Sequence, residues 1–77
     1  MPEITLTTYQ HRCLRSAMEQ YRYLMLAHEP ALRRLTELGL VVTIDRCFGA
    51  EWIAPTEAGF AWLYRHPRHN SYPGVVR

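Results

Sequence analysis

The sequence predicts a small α+β domain: helix, short strand or loop, helix, β-hairpin, helix and an extended C-terminal tail. Three observations predict it. Apolar residues recur at helical spacing over residues 8–20 and 30–38. The stretches "VVTID" and "EWIAP" are rich in strand-forming residues and bracket "RCFGA", whose glycine permits a turn. The chain has 77 residues, enough for one domain with a modest core. Residues 1–65 are expected to form that domain and residues 66–77 a basic, extended tail.

The first helix is expected from about Thr8 to Gln20. Thr7 followed by Gln10 fits a capping box, in which each side chain satisfies the other's backbone donor. Tyr9, Cys13, Leu14, Ala17, Met18 and Tyr21 form its apolar stripe. His11, Arg12, Arg15, Ser16 and Glu19 fall mostly outside it, with His11 expected at the surface and Arg15 four residues before Glu19, a weak pairing distance. "YRYLMLA", residues 21–27, suits a short extended segment or a continuation of the helix. Pro30 restricts Glu29 to extended backbone, so the helix must end before it.

"PALRRLTELGLVV" carries a second helix, from about Pro30 to Leu38. Proline is favourable at the first helical position, because its missing donor has no helical partner there. Leu32, Leu35 and Leu38 form a stripe, Gly39 suits a left-handed cap, and Leu40 stands where a Schellman motif places its contact with Leu35. The hairpin follows, with a loop of about four to six residues. Pro55 ends or edges its second strand. Thr56 caps a last helix, "EAGFAWLYR", whose Ala58, Ala61, Trp62 and Arg65 share one face, extended by Phe60 and Leu63. Gly59 inside it weakens the helix by about 1 kcal/mol relative to Ala.

Composition narrows the function classes. Hydrophobic residues make up 48% and charged residues 21%, values of an ordinary globular protein. No apolar run is long enough for a membrane span, and "MPEITLTTYQ" lacks the features of a signal peptide, so a cytoplasmic protein without membrane contact is expected. Net charge is +2, and all nine basic residues are Arg. Cys13 and Cys47 lie far apart and outside any CxxC pair. Cys13 is expected to pack in the core and Cys47 to lie in the hairpin loop. His66 and His69 are separated by Pro67 and, with His11 and His28, make no metal-ligand pattern. No G-x-S-x-G, P-loop or H-E-x-x-H is present. Neither enzyme activity, a metal nor a cofactor is expected.

The string "ALRRLTELGLV", followed after a gap by "WIAPTEAGFAWL", resembles the second half of winged-helix proteins. In these a helix ending in L-x-x-x-G-L-V feeds a two-stranded wing, which returns through L-T-x-x-G to a closing helix. Leu35, Gly39, Leu40 and Val41 carry the first part. Trp52, Thr56, Glu57, Ala58 and Gly59 carry the second, with Pro55 in place of the usual Leu. The resemblance covers roughly residues 7–65 and is to the compact versions found among phage and prophage proteins. It departs from the family in one respect. Only Tyr21 to Glu29 separate the first two helices, too few for the extra helix that orients the reader in a full helix-turn-helix.

The resemblance implies a non-enzymatic binding module acting on DNA or a nucleoprotein complex, of phage regulator type. Arg33 and Arg34 on the second helix, Arg46 in the wing, and Arg65 and Arg68 towards the tail would supply its basic surface. The alternative is a protein-binding module: a phage-made inhibitor of a host complex, such as an anti-CRISPR protein, or a dimerising adaptor. For that reading Phe48, with Cys47 beside it, is the candidate contact, since a large apolar residue at a loop tip often anchors a partner. The competing expectation is a loop folded back so that Phe48 covers the core. A homodimer is compatible with either function.

Overall fold

The computed structural model describes residues 4–67. Helix α1 (Thr8–Glu19) is followed by strand β1 (Tyr23–Leu26), helix α2 (Pro30–Glu37), strands β2 (Val41–Cys47) and β3 (Ala50–Pro55), and helix α3 (Glu57–Arg65). The three strands form one antiparallel sheet in the order β1-β3-β2. Within segment 21–27, Tyr23–Leu26 is therefore extended, and no helix is inserted between α1 and α2. Among the described residues no helix is long and apolar enough to cross a membrane.

The local signals at the helix ends act as the sequence dictates. Thr7 Oγ1 accepts from Gln10 N at 3.1 Å, and Gln10 Oε1 accepts from Thr7 N at 3.0 Å, closing the capping box of α1. Pro30 opens α2. At its exit Gly39 takes φ +75°, Gly39 N donates to Thr36 O and Leu40 N donates to Leu35 O, both at 3.0 Å. That is the paired bonding of a Schellman stop. Thr56 then joins two elements. Its hydroxyl accepts from Gly59 N at 3.1 Å, capping α3, and donates to Gly39 O at 2.5 Å. The chain leaving the sheet is thereby fastened to the chain entering it.

The core lies between the helices and one face of the sheet. Cys13, Leu14 and Ala17 of α1, Leu32 and Leu35 of α2, Leu40, Val41, Met25 and Ile53, and Trp62 and Leu63 of α3 fill it. Three expectations change here. Tyr9 and Tyr21 lie at the ends of the α1 stripe and are exposed. Tyr21 has φ +68° just past the helix, turning the chain into β1. His11 is the converse case. It is only 1% exposed, its ring set edge-on to Trp62 with centroids 5.1 Å apart. A polar residue is buried there because α3 crosses that side of α1. In α3 itself the inward face is Gly59, Trp62 and Leu63, while Ala58, Phe60, Ala61 and Arg65 face outward. The rotation follows from Gly59, which alone permits the helix to lie against the Leu40 backbone.

The hairpin is tighter than expected. Cys47 pairs with Ala50, so Cys47 ends β2 rather than sitting in a loop, and the turn is only Phe48 and Gly49. Both have positive φ, +47° and +79°. This is the sign pattern of a type I′ turn, which matches the twist of the flanking strands. Farther along, Thr43 pairs with Ile53 but Asp45 pairs with Trp52, leaving Ile44 as the extra residue of a bulge.

Candidate functional site

The expected basic surface is distributed over several places. Arg33 and Arg34 are exposed neighbours on α2 and share a shallow hollow with His28, Pro30 and Glu37. Arg34 lies in the last turn, where a cation also complements the helix dipole. Arg46 lies near the far end of β2, and its Nε is 3.6 Å from Glu51 Oε2. Glu51 also accepts from Thr43 Oγ1 at 2.6 Å, which fixes the carboxylate beneath the arginine. Arg46 lines a second hollow with Thr43, Ile44 and Asp45, and Arg65 a third with Glu57, Phe60, Ala61 and Tyr64. The structure thus brings Arg33 and Arg34 together, whereas Arg46 and Arg65 each line a different hollow. Arg68, like His69 and Tyr72 of the tail, lies outside the described residues.

Phe48 is fully exposed, at 103% of its reference area, so the hairpin tip does not fold back over the core. The tip is nonetheless fixed. Ala27 N donates to Gly49 O at 2.8 Å, tying the turn to the chain leaving β1. Cys47 beside it is an exposed free thiol. A bulky side chain with positive φ is unfavourable, and such strain persists only where the surroundings enforce it. Phe48 accordingly costs the fold conformational energy without returning buried area.

The sheet has a second apolar face, which no helix among the described residues covers. Strand alternation sends Met25 and Ile53 inward and Leu24, Leu26, Trp52 and Val42 outward. Leu24, Leu26, Val42 and the bulge residue Ile44 are 45 to 53% exposed. Trp52, at the centre, carries the Arg22 guanidinium 4.5 Å above its ring. Sequence reasoning missed this face because "YRYLMLA" admitted two structures and the two outward stripes come from different parts of the chain. The alternation Leu24, Leu26 on one strand and Val42, Ile44 on another was the available signal.

A further apolar groove, of about 390 Å³, runs between α1 and α3 and is lined by Arg15, Met18, Phe60, Leu63, Tyr64 and Pro67. Next to it His66 closes α3, its ring stacked on Trp62 at 4.0 Å and its Nδ1 2.9 Å from Trp62 O. Trp62 Nε1 donates to Ile4 O at 2.9 Å, which ties the N-terminal segment to α3. Among the described residues no group of three His, Cys, Asp or Glu is placed to hold a metal ion. Burial pushes the Cys13 thiol up from its ordinary value. Tyr9, one turn before it, is pushed up to about 12, chiefly by charge on Cys13.

Compared with protein-family models, with curated proteins and with solved structures, the chain has no significant match.

Proposed function

We propose that this chain is a non-enzymatic protein-binding module of winged-helix-like build, whose working surface is Phe48 together with the uncovered sheet face. One observation carries the reading. Phe48 is fully exposed in a left-handed backbone position, at a turn tied down by Ala27. An aromatic in that position gives the fold nothing that Asn or Gly would not give better, so its selection is explained by a contact made outside the chain. Half-exposed Leu24, Leu26, Val42 and Ile44 extend the surface, and contiguous apolar patches of that kind mark interaction sites. The winged-helix reading draws support from α2 running through its Schellman stop into the hairpin, which returns at Thr56 into α3.

A second reading, DNA binding, has its own observation: Arg33 and Arg34 stand side by side on the open face of α2. Against it weigh β1, which stands where a full helix-turn-helix has the helix that aims the reader, and the Glu51 carboxylate beside Arg46. One set of variants separates the two. Immobilised wild-type chain should retain a host protein in stoichiometric amount, Phe48→Ala should lose it, and the double variant Arg33→Ala, Arg34→Ala should keep it. Tight duplex DNA binding at low salt, abolished by the arginine pair and indifferent to Phe48→Ala, would replace the protein reading with the DNA one.

A further inference from the structure

We propose that the outward face of α3 closes on a second copy of this chain, the two α3 helices running antiparallel about a two-fold axis level with Ala61. The proposal goes beyond the binding surface described above and leaves Phe48 and the sheet face outside the contact between copies.

Three features of α3 point to a second copy. The first is what its outer side presents. Gly59, Trp62 and Leu63 are turned into the core, while Glu57, Phe60, Ala61, Tyr64 and Arg65 line one open hollow on the other side. Phe60 and Tyr64 are 49% and 88% exposed, and together show on the order of 300 Å² of aromatic surface. With Ala61 and the stems of Glu57 and Arg65, two such faces remove on the order of 1,000 Å² from water, the lower end of specific interfaces.

The second feature is the order of charge. Glu57, Ala61 and Arg65 follow at i, i+4 spacing and form one row along α3, acidic at its start, small at its middle and basic at its end. Among the described residues neither Glu57 nor Arg65 makes an ion pair. Each charge suits the helix dipole at its own end, but the dipole does not account for exposed Phe60 and Tyr64 between them. A covering surface that neutralises both charges presents a base and an acid about 12 Å apart in the reverse order. A second α3 run antiparallel is such a surface.

The third feature is packing geometry. The commonest crossing of packed helices, at about −50°, lays the i, i+4 rows of both helices parallel. A two-fold level with Ala61 then sets Glu57 of each copy against Arg65 of the other. Both ion pairs form at once, as an isologous interface requires. Ala61 stands at the crossing point, where a small side chain lets the helix axes approach closely. Phe60 and Tyr64 form the neighbouring i, i+4 row. The two-fold keeps that row on the same side of both helices, so the aromatic rings of the two copies lie together.

Sedimentation velocity from about 1 µM to 1 mM, the affinity range of interfaces this small, tests the proposal. Wild-type chain should pass from monomer to dimer over that range. Ala61→Glu sets two carboxylates at the crossing point and should remain monomeric while keeping its wild-type circular dichroism. Glu57→Arg and Arg65→Glu should each weaken the dimer about tenfold or more, because each sets like charges together twice. Mixed in equal amounts, those two variants should dimerise as well as wild type, since each then meets its opposite in both contacts. Phe48→Ala should leave the dimer unchanged. A wild-type chain monomeric throughout, a dimer indifferent to Ala61→Glu, a dimer lost with Phe48→Ala, or a mixture no better than its components overturns the proposal.

Discussion

Gly59 of α3 packs directly against the carbonyl of Leu40, so closely that a Cβ at position 59 would overlap the oxygen. That oxygen already accepts from Thr56 N at 2.9 Å. The contact sets the distance between the end of α2 and the start of α3.

Gly59→Ala therefore reverses the usual helix scale. Alanine in a helix interior gains about 1 kcal/mol over glycine. Here the neighbour is backbone held by its own hydrogen bond, and forcing a methyl group into a filled site costs about 1–3 kcal/mol. Urea unfolding should show Gly59→Ala destabilised by about 1–2 kcal/mol. A gain in stability would mean that α3 stands off from Leu40.

Thr56 holds the same junction through its hydroxyl. Thr56→Ala removes the cap on α3, worth about 1 kcal/mol, and the bond to Gly39 O, worth a similar amount. The expected loss in urea unfolding is about 1–2 kcal/mol, with Thr56→Ser recovering most of it. An equal loss for Ser and Ala would show that the methyl group, not the hydroxyl, matters.

Stability should decline on the alkaline side. Burial holds the Cys13 thiol protonated above its ordinary value of 9, and Tyr9 is pushed up from 10 to about 12. The unfolded chain thus releases both protons at lower pH than the folded one. The stabilisation is complete below the unfolded values and is lost as pH rises from about 9 towards 12. In Cys13→Ala the absorbance titration of Tyr9 should move back towards the ordinary tyrosine range, and the alkaline decline should become shallower. An unchanged tyrosine titration would contradict the coupling.

Much of the fold was legible because its signals are local. Thr7 with Gln10, Pro30, Gly39 with Leu40, and Thr56 each act within a few residues, and each forms the bonds its type dictates. What stayed illegible depends on distant chain. His11 reads as polar and outward, but Trp62, 51 positions away, covers it. The burial of Gly59 in place of Ala58 and Ala61 follows from the Leu40 carbonyl, which no helical periodicity encodes. The two-residue turn escaped notice because Phe48 occupies a position that favours Asn or Gly. The candidate surface was half legible: Phe48 stood out as a tip residue, while the Arg22–Trp52 contact and the sheet face needed β1 paired to β3.

If Phe48 is held for a partner, it is held at a cost to the fold. Equilibrium urea unfolding of Phe48→Asn against wild type tests it most directly. Asparagine tolerates the left-handed backbone, and no buried apolar area is lost. Phe48→Asn should be more stable by about 0.5–1 kcal/mol at unchanged urea dependence. A variant less stable by about 1 kcal/mol or more would show that Phe48 serves the fold, and would contradict the claim.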